Sequence, residues 1–283
     1  MIATTAMTLA LLVASTSSLI AQVAAPADAA ADKELMQKLY KESQAIAEAG
    51  SFYRLDSGKR VSVPLQKEPI YRHHDAARNE QGGGIWLIGE DGRRPMAMTV
   101  LYTSPIRSTW VQSIRSLTPS KDIGGDMKEG NRWRPNQPGL DFKPLPKAPK
   151  PSNSPKIRFS QLKQQARRFS GHEFWRDQRH ELRLIPKELH KYEDEKESVE
   201  LGAVFSIAHN NNAETYLVIE VRESKDGLEW WYALGRFGFA ELHINIDGKE
   251  VWQRPELRNG TSSIDPYHLF HVRKNTVSPG VLQ

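Results

Sequence analysis

The stretch LGAVFSIAHNNNAETYLVIEVRESKDGLEWWYALGRF, residues 201–237, decides the fold. Its three apolar runs, 201–209, 215–222 and 229–237, are parted by Asn210-Asn211-Asn212 and Asp226-Gly227, residues that favour tight turns. Loops this short join only antiparallel neighbours, because a parallel crossover needs about a dozen residues or more. Candidate strands at 181–185, 240–246 and 250–253, the last two parted by Asp247-Gly248, extend the run into a meander. In the first half, 85–89 and 96–102 flank Glu90-Asp91-Gly92-Arg93, where Asp-Gly supplies the positive φ of a hairpin, and 109–117 is a further strand. Both faces of Ile85-Trp86-Leu87-Ile88 are apolar, which places that strand in an interior covered on each side.

Helical periodicity is confined to two places. Asp32 opens a helix that runs to Ala49 and stops at Gly50, with Leu35, Leu39 and Ile46 on one face. Ser154-Pro155 is an N-cap followed by proline at the first helical position. That second helix is expected over 155–169, with Phe159, Leu162, Ala166 and Phe169 on its apolar side and Gly171 closing it. The fold class read from these patterns is α+β, an antiparallel β-sheet meander with two or three packed helices.

The first 27 of the 283 residues carry no charged side chain, and a nine-residue apolar run, AMTLALLVA at 6–14, is too short to span a bilayer. Residues 1–29 read as a signal peptide, with small residues at Ala25, Ala27 and Ala29 for cleavage. The expected product is secreted or periplasmic and has no membrane attachment after signal cleavage. Residues 30–256 form the domain and 257–283 an irregular tail. The chain has no cysteine, which excludes disulfides, thiol nucleophiles and zinc–thiolate sites.

Charge is concentrated in one window. Residues 130–170 hold ten Lys and Arg against one acid, Asp141, and seven prolines fall between Pro135 and Pro155, so 136–154 reads as a basic, proline-rich connector. Lys156, Lys163, Arg167 and Arg168 continue the positive surface along the following helix. An anionic polymer or an acidic protein surface is the partner such charge would attract, while aromatic–basic interleaving for base stacking is missing and nucleic acid is not expected.

Motifs that carry chemistry are few. His268 and His271 would share one side of a helix, yet no third ligand accompanies them, and His73-His74-Asp75 and His243 read as strand positions. Gly82-Gly83-Gly84 precedes a strand and not the helix N-terminus an anion cradle requires. The acids Glu193, Asp194, Glu195, Glu197 and Glu200 lack the spacing of a calcium loop, and G-x-S-x-G and HExxH are absent. Neither a metal nor a cofactor is expected. In Glu181-Leu182-Arg183-Leu184, the period of two sets Glu181 and Arg183 on the face opposite the leucines, with Tyr192 close behind, as a candidate ligand site.

Five blocks, DGRRP (91–95), PGLDFKPLPKAP (138–149), ELRLIPKELHKYE (181–193), GAVFSIAHNNNAETYLVIE (202–220) and WWYALGRF (230–237), resemble a family of exported bacterial proteins with no known activity. The resemblance covers roughly residues 65–255 and implies one coherent exported domain. It marks Glu181, Arg183, Tyr192, Tyr232 and Arg236 as motif members without roles, and His190 stands where that family carries an aromatic. The functional expectation is a non-catalytic binding or interaction module of the cell envelope that turns its basic segment toward an acidic partner. A hydrolase of glycans or esters is the alternative.

Overall fold

A computed structural model describes residues 26–75, 80–104, 109–210 and 212–274. The first helix, α1 (Pro26–Glu48), leads into β1 (Ser51–Asp56), β2 (Lys59–Val63), β3 (Tyr71–Asp75), β4 (Glu80–Ile88), β5 (Ala97–Ser104), β6 (Thr109–Ser116), β7 (Ile123–Asp126), β8 (Arg132–Trp133) and β9 (Lys143–Pro144). The second helix, α2 (Pro155–Ala166), precedes β10 (Phe169–Trp175), β11 (Gln178–Leu184), β12 (His190–Asp194), β13 (Val199–His209), β14 (Asn212–Ser224), β15 (Gly227–Arg236), β16 (Glu241–Ile246), β17 (Lys249–Arg254) and β18 (Tyr267–Lys274).

The α+β expectation is corrected: 51% of the chain is strand and 15% helix, only two α-helices occur among the described residues, and the protein is predominantly antiparallel β. Much of the difference comes from segments without strand periodicity of their own. Phe169 continues the apolar spacing of α2, but it starts β10, where Phe169 pairs with Ile246 and Gly171 with both Leu182 and Ile244. A Cβ at Gly171 would collide with the His243 carbonyl, so this glycine admits a neighbouring strand and does not end a helix. The tail expected to be irregular supplies β18, which pairs with β6 of the first half.

Three sheets result, in the orders β2-β1-β7-β8, β18-β6-β5-β4-β3 and β17-β16-β10-β11-β13-β14-β15-β9, with β12 added beside β13. The five-stranded sheet is covered on both sides. Trp86, Ile88, Trp110 and Ile114 pack with Leu39 and Ile46 of α1, whereas Ile85, Leu87, Met98 and Val100 meet Val204, Tyr216, Val218 and Ala233 of the large sheet. The opposite side of the large sheet encloses α2, with Leu162 and Ala166 against Phe205, Leu217, Leu242 and Ile244.

The large sheet is curled into a half-barrel, and its connectivity requires this. Residues 237–240 join β15 to β16, which stand five inter-strand steps apart in the sheet order. On a flat sheet those steps total about 24 Å, and five residue steps of chain reach roughly 18 Å. Only curling brings the two strands within reach, so the meander stops at β15 and the chain crosses to the far end. Two tyrosines fit the curled wall closely: Tyr192 lies over its cross-strand partner Gly202 and Tyr216 over Gly235, where added Cβ atoms would enter the rings.

Candidate functional site

A cavity of about 1010 Å³ opens where the five-stranded sheet leans on the half-barrel. Ile85, Val100, Val111 and Leu269 line it from the first sheet, and Ala213 and Phe237 from the second. Strand alternation explains why Val111 and Arg115 of β6 face it while Trp110 and Ile114 face α1. Tyr71 and Trp175, two of the most exposed large apolar side chains of the molecule at 41% and 38%, also belong to its lining. An apolar chamber of this size with a few fixed polar groups is the form small-molecule sites take.

Four of the polar groups, Arg115, Glu173, Ser206 and Glu214, are buried, whereas Arg176, Lys187 and His271 are exposed. Arg115 is 3% exposed; its Nη1 donates to Ser113 Oγ at 2.9 Å, its Nη2 to the Phe237 carbonyl, and its guanidinium lies 4.8 and 4.7 Å from the Phe237 and Tyr267 ring centroids. No carboxylate forms an ion pair with it among the described residues, its Nε has no hydrogen-bond partner, and burial lowers its pKa. Burial likewise raises the pKa of Tyr267, with Arg115 and Arg236 opposing. Two buried acids, Glu173 and Glu214, also line the cavity, and the Asn212 amide donates to Glu214.

A smaller cavity, about 720 Å³, lies in the open seam of the half-barrel between β15 and β17, bordered by connector residues that include Lys143. Next to it sits a buried polar hub. Glu220, 0% exposed, accepts from Arg94 Nε and Nη2 at 2.7 Å each, from the Tyr192 hydroxyl at 2.6 Å and from Arg222 Nε at 2.6 Å. Arg94 belongs to the turn between β4 and β5, so the hub pins that turn of the first sheet onto β12 and β14 of the second. Burial and the Glu220 carboxylate together hold the Tyr192 phenol well above its ordinary range.

The residues singled out from the sequence do not converge. Glu181 and Arg183 stand exposed on β11, with Glu181 2.8 Å from Arg179. Tyr192 is buried at the hub, and Tyr232 lines the seam. Arg236 donates to the carbonyls of Gly238, Ala240 and Pro255 at 2.8, 2.6 and 3.1 Å, pinning the crossover loop, and burial pushes it down to about 10. None of these five lines the inter-sheet cavity.

Five of the ten basic side chains of the segment have counter-ions among the described residues. Lys163 pairs with Glu188 at 2.9 Å and Arg168 with Asp247 at 2.7 Å; Arg134, Lys143 and Arg158 pair with Asp126, Asp141 and Glu200. Lys156 and Arg167 are exposed. Ser154 takes the N-cap position of α2, but its side chain makes no capping bond.

His268 and His271 fall on a strand, where a spacing of three turns them to opposite faces; they contact Thr261 and Thr109 separately. His243 stacks on His172 at 4.6 Å and lies between Glu241 and Glu250, whose hydrogen bonds raise its pKa against the effect of burial. Among the described residues no group of three or more His, Asp or Glu could hold a metal ion. The side chains of His73, His74 and Asp75 lie outside the described residues.

Comparison with known proteins adds nothing to this geometry. No family model, curated protein or solved structure matches the chain. The likeness of the five sequence blocks therefore brings no family assignment.

Arg115, Glu214, Glu220, Arg94 and Arg222 are not among the residues that local sequence patterns single out as a site. The signal was present for two of them: Glu220 interrupts the apolar run YLVIEV and Arg115 the strand TWVQSIRS, and a charge on the inner face of a buried strand needs a partner.

Proposed function

We propose that this chain is a non-catalytic binding protein that holds an amphipathic small molecule between its two principal sheets. The observation that carries the reading is the 1010 Å³ chamber, with apolar side chains on both walls and the buried guanidinium of Arg115 beside the buried carboxyls of Glu173 and Glu214. A ligand there would bury its apolar part against Val100, Val111 and Leu269 and present a polar group to Arg115 and Tyr267. With Arg134, Arg158, Lys163 and Arg168 of the basic window paired to carboxylates, the chamber has a stronger claim to this ligand than the exposed face of the connector and α2 does. Export, expected from residues 1–29, belongs to the same proposal.

Titration of the full chain with an anilinonaphthalene sulfonate dye tests it. One site per chain with a Kd on the order of micromolar is expected, and Ala213→Trp, which places an indole in the chamber, should weaken it at least about tenfold without lowering Tm. Equal affinity in the variant would overturn the assignment.

A further inference from the structure

We infer that the seam of the half-barrel is a second binding site, separate from the inter-sheet chamber, that takes a small organic oxyanion, a carboxylate or a phosphate ester. Three cations from three strands border the same 720 Å³ space: Lys143 of β9, Arg222 of β14 and Arg254 of β17. Among the described residues the only acid lining it is Asp141, whose contact with Lys143 spans 3.5 Å between side chains 79% and 52% exposed, and such a pair is weakly held in water.

Arg222 is built into place. Its guanidinium lies 4.1 Å from the Phe142 ring centroid and 5.2 Å from that of Trp231, and its Nε is committed to Glu220 at 2.6 Å. The fork is thereby fixed in orientation, yet its Nη2 is buried without a hydrogen-bond partner. Arg254, 4.8 Å from the Trp252 ring centroid, has no ion pair among the described residues, and its charge adds to the burial that depresses Arg236. Tyr232 is only 5% exposed, and its hydroxyl has no hydrogen-bond partner among the described residues. Preoriented guanidinium donors facing an excess of positive charge are how proteins recognise planar or tetrahedral oxyanions. Nothing in the inter-sheet chamber is shared with this lining apart from the fold itself.

The test is calorimetric titration of the full chain at low ionic strength with citrate and with inorganic phosphate, glycerol serving as the uncharged control. One anion per chain is expected. Arg254→Gln and Lys143→Gln, both outside the Glu220 hub, should each weaken binding about tenfold, the worth of one charge-assisted hydrogen bond. Lys156→Gln on the exposed face of α2 and Ala213→Trp in the inter-sheet chamber should leave it unchanged. Tighter binding of citrate assigns the carboxylate and tighter binding of phosphate the phosphoryl group, and either sustains the site. No binding of either anion, or an equal loss from Lys156→Gln, would overturn it, and dye binding in the chamber would survive that result.

Discussion

Glu220→Gln removes one charge from the centre of the molecule while keeping the side chain's shape, and the structure fixes how much this should cost. The carboxylate has no solvent exposure and receives four hydrogen bonds, two from Arg94, one from Arg222 and one from Tyr192. Removing one partner of a buried ion pair costs about 3–5 kcal/mol, because the other charge is left desolvated. Arg94 keeps a 3.3 Å contact with the exposed Glu197, and the side chain of Arg222 is 21% exposed, so the lower end, about 3 kcal/mol, is expected. For a domain of this size that corresponds to a fall in Tm of roughly 6–12 °C. Urea denaturation with a parallel calorimetric melt would measure it, with Glu197→Gln as the surface control costing less than about 1 kcal/mol. A loss below about 1 kcal/mol in Glu220→Gln would mean that water reaches the hub and that it does not clamp the sheets.

Two further predictions concern pH. Tyr216 is fully buried, its hydroxyl donates to the Ser116 carbonyl at 2.9 Å, and burial raises its pKa. The folded state therefore holds the phenol proton more tightly than the unfolded chain, so stability present below pH about 10 is lost as pH rises beyond it. Tyr216→Phe should cost about 1–3 kcal/mol at pH 7 through the unpaired carbonyl and flatten the decline from pH 10 upward; parallel urea midpoints for both proteins across pH 8–11 would contradict this. His190 stacks beside Tyr192 at 6.0 Å, its Nε2 is buried without a partner, and burial lowers its pKa against the Arg93 backbone and Asp91. The unfolded chain binds the proton first, so stability falls as pH drops through about 6.5. His190→Phe should gain stability relative to the parent at pH 5 compared with pH 7, and an identical difference at both values would refute the cause assigned.

The core strands of both sheets were readable because Ile85-Trp86-Leu87-Ile88 and the 201–237 stretch are dense in β-branched and aromatic residues bounded by turn chemistry. At Gly92, φ is +73°, as the hairpin reading of Asp-Gly requires. What escaped was structure imposed from outside the segment. β10 contains Ser170, Gly171 and His172 and exists because β11 and β16 flank it; β18 exists because β6 offers an edge. The same holds for the sites. Arg115, Glu173 and Glu214 come from β6, β10 and β14, and no spacing along the chain foretells that they meet. The candidates chosen by local pattern, Glu181 and Arg183, share a strand face that looks to solvent. The charge density of 130–170 was plain in the sequence, but its neutralisation by Asp126, Glu188, Glu200 and Asp247 depends on contacts made by distant segments.

The claim that the sheets enclose a ligand chamber is tested most directly by amide and methyl NMR of the full chain titrated with dodecanol, an amphiphile without charge. Saturable shifts are expected at Val100, Val111 and Leu269 on one wall of the chamber and at Ala213 on the other. Shifts confined to the exposed Leu55, Ile157 and Ile264, with the chamber residues silent, would contradict it.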